Sequence, residues 1–306
     1  MEQIYDVIVI GGGPGGYAAA LYAARAGLDT LVLEQLSAGG QMALTQQIDN
    51  YPGFPDGIDG FTLGERMEQS AQQAGANTIL AQVEAVELAQ PVKQVHTSDG
   101  TFLSRTVIVA TGATPRPLGI QEEDAWVGRG IHYCATCDGM AYKGKTVVVV
   151  GGGNSACGDA MVLSRLAAHV HLVHRRDTLR ATKVYHQALM EAENITIHWN
   201  SRVTHILGQD KLQAVALEEI PTGTVTPLPC DGVFVSVGRS PATQLFEGQL
   251  EMDQNGYLVA DESTRTNLPG VYAVGDVRTK ALRQVVTAVA DGAVAATAAE
   301  EYLSGV

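Results

Sequence analysis

Apolar residues first crowd together at Asp6-Val7-Ile8-Val9-Ile10, a β-branched run that predicts a strand buried on both faces. Glycines follow at once, Gly11-Gly12-Gly13-Pro14-Gly15-Gly16. A small-residue stretch at 18–26 then predicts a helix, and Thr30-Leu31-Val32-Leu33-Glu34 a second strand. That order is a β-α-β unit of about 30 residues. It recurs as the strand Thr146-Val147-Val148-Val149-Val150, the turn Gly151-Gly152-Gly153-Asn154-Ser155-Ala156, a helix near 160–167 and a strand at 170–174. The copies start 140 positions apart, and one 21-residue offset separates both Gly13 from Glu34 and Gly153 from His174. The pattern is an internal duplication.

Between and beyond the copies, alternating or apolar runs joined by turns such as Asp99-Gly100 predict antiparallel ribbons. Three further apolar runs, at 108–113, 233–238 and 271–276, each lead into a glycine, where backbone can approach a ligand. Prolines punctuate Thr114-Pro115-Arg116-Pro117 and Ser240-Pro241, which places domain crossings there. The expected fold is α/β: two Rossmann-like dinucleotide-binding domains of three-layer ββα character, the second inserted in the first. The expected bounds are 1–114 and 242–306 for the first domain and 115–241 for the second.

Composition narrows the function. With 45% hydrophobic and 17% charged residues, the 306-residue chain can bury sizeable cores. A formal charge of −13 argues against a nucleic-acid groove. No run approaches the about 18 apolar residues of a membrane span. The first ten residues lack a basic region and a long apolar segment, so no secretion signal is expected. Four cysteines are too few for a disulfide framework and read as thiols in a reducing cytosol.

Gly11, Gly13 and Gly16 fit G-x-G-x-x-G: a tight turn, an approach to pyrophosphate, and close helix packing. The helix start then offers partial positive charge to the phosphates, and Glu34 can accept from ribose hydroxyls. A glycine turn without ligand is the plain alternative. In the second copy, His174 stands where the acid stood, followed by Arg175, Arg176 and Arg180. Guanidiniums hold a ribose 2′-phosphate that a carboxylate would repel, so this copy reads as an NADPH site built on Gly151, Gly153, Asn154, Ser155 and Ala156. The alternative is a solvated basic surface.

Cys134-Ala135-Thr136-Cys137-Asp138 lies between the two fingerprints. Two thiols at this spacing can close a redox-active disulfide. A zinc half-site would need two more ligands, yet Cys157 and Cys230 are isolated and His132 is too close in sequence. No metal site is expected. Cys157 and Cys230 read as small buried hydrophobes. Asp138 is either the acid/base partner of the dithiol or a helix-capping carboxylate.

In combination these residues resemble the bacterial low-molecular-weight thioredoxin reductases over essentially the whole length. The resemblance rests on both fingerprints, Gly39-Gly40-Gln41, Asn50-Tyr51-Pro52-Gly53, Ala110-Thr111-Gly112-Ala113, Gly128-Arg129-Gly130, the Cys134–Asp138 motif, residues 174–180, Gly275-Asp276-Val277 and Arg283-Gln284. It implies a homodimer with FAD in the first domain and NADPH in the inserted one. It implies that Cys137 faces the flavin, Cys134 attacks the disulfide of thioredoxin or a thioredoxin-like protein, and Asp138 handles the proton. It further implies FAD contacts at Pro14, Gln35, Gly40, Gln41, Asn50, Val83, Ala110, Thr111, Gly112, Gly275, Asp276, Arg283, Gln284 and Val285.

Because the thiol pair lies 14 residues ahead of the second fingerprint, it belongs to the NADPH domain. Nicotinamide and disulfide must then alternate at one flavin, which a domain rotation would allow. One departure stands out. After Ala156 the family usually has an apolar residue and two glutamates, whereas this chain has Cys157-Gly158-Asp159. Rival readings are a relative fed by ferredoxin, one serving a peroxidase or glutaredoxin-like carrier, and a non-catalytic flavin-thiol sensor.

Overall fold

The computed structural model describes residues 3–45 and 47–305; Glu2 of the N-terminal reading lies outside them. The chain divides into two compact units, Met1–Thr114 with Ser240–Val306, and Pro115–Arg239. In the first, β1 (Ile4–Ile10) runs into α1 (Pro14–Arg25) and β2 (Thr30–Glu34). Next come α2 (Gly60–Ala74), β3 (Asn77–Leu80), β4 (Val83–Glu87), β5 (Lys93–Thr97), β6 (Gly100–Val109) and the crossing strand β7 (Ala113–Pro115). The second unit opens with α3 (Glu123–Trp126), β8 (Ile131–His132) and α4 (Ala135–Asp138). It continues through β9 (Thr146–Val150), α5 (Asn154–Ser164), β10 (His169–Val173), α6 (Lys183–Glu191) and β11 (Ile195–His198). Strands β12 (Ser201–Gly208), β13 (Leu212–Glu219), β14 (Thr224–Pro229) and β15 (Gly232–Val235) follow. The return strand β16 (Arg239–Pro241) leads to β17 (Val271–Ala273) and α7 (Val285–Ser304).

Both helices of the fingerprints begin earlier than their alanine-rich stretches suggest. α1 starts at Pro14, whose fixed φ suits a first helical position, and its glycines form the first turn. The reason is space. A Cβ on Gly16 would overlap the Gly11 carbonyl, and one on Gly15 would press on the Ala288 carbonyl at 3.2 Å. α5 likewise starts at Asn154.

In the first unit the parallel order is β3-β2-β1-β6-β17. β6 does double duty: its first half pairs antiparallel with β5, its last residues parallel with β17. Alternate side chains go to opposite faces. Val7, Val9, Val32 and Ile108 pack against Ala19, Ala23, Ala295 and Ala299 of α1 and α7. Ile8, Ile10, Leu31 and Val107 pack against Val86, Leu88 and Val95 of the ribbon side. The small residues matter, because Gly292 of α7 faces the backbone of Gly15 and Ala19 with no room for a Cβ.

The second unit repeats this scheme with β11-β10-β9-β15-β8, all parallel. Val147, Val149 and Leu172 meet Ala156, Ala160 and Leu163 of α5. Val148, Val150 and Val173 meet Val203, Val215 and Leu217 of the antiparallel β12-β13-β14 sheet. This is the duplicated α/β architecture that the residue pattern predicts. Among the described residues, no helix is long and apolar enough to cross a membrane.

Candidate active site

A parallel sheet delivers every following loop to the carboxyl ends of its strands. In the first unit the register Ile10↔Leu33, Ile10↔Val109 and Ala273↔Val109 levels four strand ends. Gly11, Glu34, Ala110-Thr111-Gly112 and Gly275-Asp276 therefore lie along one edge. Glu34 ties it together: Oε2 accepts from the Gly12 amide at 2.6 Å and Oε1 from the Leu36 amide at 3.0 Å. The Gly39 amide donates to Gly12 O at 2.8 Å, which brings Gly40 against Gly13. Gln35 and Gln41 are exposed beside them, and half-buried Val83 follows the strand that pairs with β2.

Other predicted residues arrive from far along the chain. Asn50 Nδ2 donates to Gln284 Oε1 at 3.0 Å, and Gln284 caps α7 just ahead of Val285. The Arg283 guanidinium lies 4.0 Å from the Tyr257 ring centroid, and its Nε donates to the Asp276 carbonyl at 3.4 Å. The Thr111 hydroxyl donates to Ala242 O at 2.7 Å. Asp291 escaped the residue pattern. It accepts from the Gly275 amide at 2.9 Å while holding Lys280 at 2.7 Å and Arg278 at 3.3 Å, and so anchors the Gly275–Val277 turn.

The second unit levels Val150, Val173 and Val235 in the same way. Asn154 Oδ1 accepts from the Thr182 amide at 2.8 Å, and the Arg180 amide donates to Gly152 O at 2.8 Å. Arg180 is thus drawn to the glycine turn; Arg175, Arg176 and Arg180 are all exposed, without a carboxylate partner among the described residues. His174 behaves differently. Its ring is buried against Gly152, Nε2 donates to Thr178 O at 2.9 Å, and burial pushes its pKa down. Four residues beyond the turn's Asn154, Gly158 opens onto space: a Cβ there would meet only Tyr185, at 3.9 Å. Asp159 is hydrogen-bonded by the Ser236 hydroxyl, and burial raises its pKa.

The dinucleotide fit can be read at two positions. Gly13 and Gly153 are the helix N-caps, with no side-chain cap and no acid in the first turn. A Cβ at either would meet nothing within 4 Å. Uncapped amides facing open space fit an anionic pyrophosphate.

Cys134 and Cys137 close a disulfide with a Cα–Cα separation of 5.3 Å, on the turn that follows β8. Both are partly exposed. The Asp138 amide donates to Cys134 O at 3.1 Å, so its carboxylate rides on the same turn. Asp138 ends a four-residue helix and stands at the N-cap of the 3-10 turn Gly139–Tyr142, but its side chain makes no capping hydrogen bond there. Its Oδ2 lies 3.2 Å from His132 Nδ1, a neighbour that sequence spacing considered only as a metal ligand. Cys157 and Cys230 are buried free thiols, pushed by burial up to about 11 and about 12.

Two nucleotide-type glycine turns and an accessible disulfide in one chain define a disulfide oxidoreductase, and the chain belongs to the pyridine nucleotide-disulphide oxidoreductase family, matched over residues 5–292. It is an enzyme of the flavin- and pyridine-nucleotide-binding kind. Among its relatives, a thioredoxin reductase of Streptomyces clavuligerus is 46% identical over 99% of this chain and 95% of its own length. One from Treponema pallidum is 43% identical over 99% of this chain and 98% of its own. The crystal structure of thioredoxin reductase from Streptococcus pyogenes superposes with a TM-score of 0.93 at 40% identity, covering all of both chains.

Proposed function

We propose that the protein is an NADPH-dependent thioredoxin-disulfide reductase, with FAD held by the first unit and NADPH by the second. The observation that carries this reading is the Cys134–Cys137 disulfide on the second unit, at the carboxyl end of the sheet that bears its glycine turn. Relatives named thioredoxin reductase at over 40% identity across nearly the whole chain support it. When bound, FAD supplies the two-electron step between a hydride donor and a disulfide.

The chain's own residues do the rest. Gly11, Gly13, Pro14 and Gly16 bring uncapped amides to the FAD pyrophosphate, and Glu34 receives its ribose. Gln35, Gly40, Gln41, Asn50, Val83, Ala110, Thr111, Gly112, Gly275, Asp276, Arg283, Gln284 and Val285 line the remainder. Arg175, Arg176 and Arg180 select the NADPH 2′-phosphate beside Gly151, Gly153, Asn154, Ser155 and Ala156; buried His174 shapes that turn from beneath. Cys137 receives the electron pair. The Cys134 thiolate then attacks the thioredoxin disulfide, and Cys137 attacks Cys134 Sγ to release the reduced carrier. Asp138 moves the proton. Both nicotinamide and thiols belong to the second unit, so they take turns by rotation at the 114–117 and 240–241 crossings. The same reading makes the enzyme a homodimer of the reducing cytosol, where Cys157 and Cys230 remain thiols.

The test is NADPH-driven reduction of thioredoxin by wild type and Cys134→Ser. Loss of about a thousandfold or more is expected when the attacking thiol is removed. Equal rates would overturn the relay, and failure of anaerobic NADPH to bleach the flavin would remove NADPH as donor.

A further inference from the structure

Asp138 does not stand alone. Its Oδ2 meets His132 Nδ1 at 3.2 Å, and the opposite ring nitrogen, Nε2, lies 2.7 Å from the Tyr142 hydroxyl. Three short pieces of the second unit, β8, α4 and the 3-10 turn Gly139–Tyr142, thus place Asp138, His132 and Tyr142 in one line. Packing holds it. The imidazole stacks on Phe234 of β15 at 5.3 Å with 28° between the planes, and Tyr142 meets both rings edge-on. Gly232 leaves room for Tyr142, since a Cβ there would overlap the phenol ring. The His132 side chain is only 12% exposed and that of Asp138 24%, so water competes weakly for the pair.

The hydrogen bonds define the tautomer. Burial first, then Asp138, Asp231 and Cys230, push the Tyr142 hydroxyl up to about 12, so it stays protonated. A carboxylate oxygen can only accept, which puts the proton of the neutral imidazole on Nδ1, aimed at Asp138, and leaves Nε2 to accept from the Tyr142 hydroxyl. Other charges near the line are few. Asp231 and Cys230 act on Tyr142 from ahead of β15, Lys145 Nζ sits 5.1 Å from the Tyr142 ring centroid, and Phe234 brings none.

We propose that His132 is a positioning residue for Asp138 in thiol–disulfide exchange, holding Oδ2 so that Oδ1 serves the thiols. This rests on the reading of Asp138 as the acid/base group. The Cys134 thiol gives its proton to Asp138, its thiolate forms the mixed disulfide while the carrier's S–S bond breaks, and Asp138 passes that proton to the departing carrier thiolate. The Cys137 thiol gives its proton to Asp138, its thiolate re-forms the Cys134–Cys137 bond, and Asp138 passes that proton to the second carrier thiolate. The dithiol loses two protons and two electrons, and the carrier gains them.

The experiment takes the FAD-loaded enzyme, reduces it anaerobically with NADPH, and mixes it rapidly with oxidised thioredoxin. His132→Gln is expected to slow the thiol step about tenfold or more, relative to flavin bleaching in the same protein. The pH dependence of the thiol step should differ between wild type and this variant, because the hydrogen-bond partner of Oδ2 has changed. Tyr142→Phe keeps the ring and removes only the hydroxyl, and should give a loss of about threefold. In dithiothreitol-reduced protein, a readout that needs no turnover, the pH curve for alkylation of the pair by iodoacetamide should shift in His132→Gln. If Asp138→Asn runs at the wild-type rate, the acid/base reading falls and this one with it. If Asp138→Asn is slow while His132→Gln keeps wild-type rate and pH profile, the inference alone is overturned. Should His132→Gln fail to fold, a wild-type rate and profile in Tyr142→Phe would overturn it equally.

Discussion

Five parallel strands follow one plan in both units, β3-β2-β1-β6-β17 in the first and β11-β10-β9-β15-β8 in the second. The outer strand is drawn from opposite ends of each unit's sequence. β17 comes last in the first unit, and β8 comes before the fingerprint in the second. Beyond β17 lies Gly275-Asp276-Val277; beyond β8 lies the disulfide turn. The thiol pair thus occupies the sheet position that a cofactor-type glycine turn occupies in the other copy. Strand position, not chain order, decides where a loop is presented, because all parallel strands end at the same edge.

A second contrast lies on the next strands. Leu31 and Ile79 of the first unit are apolar and pack on its ribbon side. By register, His171 and His198 stand in their places in the second, with Nδ1 and Nε2 3.0 Å apart. A third contrast is Glu34 against His174, each lying against the second glycine of its turn.

The largest effects should come from the glycine turns. Gly16→Ala is expected to cost about 3 kcal/mol or more, measured by urea unfolding, because the methyl collides with backbone that cannot move. Gly13→Ala meets nothing and its φ of −77° suits alanine, so stability should change by less than about 1 kcal/mol. Retention of FAD through gel filtration should nevertheless fall. Equal unfolding midpoints for the two variants would contradict the packing account.

Smaller effects should separate the copies by cofactor. Arg175→Gln, Arg176→Gln or Arg180→Gln should raise KM for NADPH about 10- to 100-fold, leave that for NADH unchanged, and shift unfolding by about 0.5 kcal/mol at most. A rise for both nucleotides alike would deny these side chains a 2′-phosphate role.

The smallest effect concerns acid. Burial, then His198 and His169, lower His171 from 6.5 to about 4, and burial lowers His198 too. The unfolded chain therefore binds protons that the fold refuses. This contribution to stability is full above about 6.5 and is lost as pH falls through about 4. After allowance for coupling and screening, the loss should be about 1–2 kcal/mol in urea titrations. His171→Leu with His198→Ile, the first unit's residues, should flatten that limb. An unchanged limb would assign the acid sensitivity elsewhere.

Local chemistry made much of this legible. The β-branched runs, the glycine turns and the shared 21-residue offset are backbone signals, and they survive in the folded units because each acts over a few residues. The C-x-x-C needed only one turn of chain to close. Helix starts were misplaced, since propensity puts glycine outside a helix while close packing required it in the first turn. His174 shows another limit. Its offset located it at a strand end beside three arginines, but the ring turns inward to Thr178 and only the arginines face out.

By itself, then, the order of residues determined the two nucleotide-type copies, the thiol pair and the basic cluster after the second, because glycine conformation, strand burial and thiol spacing are local properties. Tertiary structure alone decided that β8 and β17 are equivalent edges, that Asp291 anchors a turn 16 residues earlier, and that His132 and Tyr142 line up behind Asp138. Those relations depend on which strands pair and which side of a sheet a ring faces. Only packing the whole unit resolves that choice.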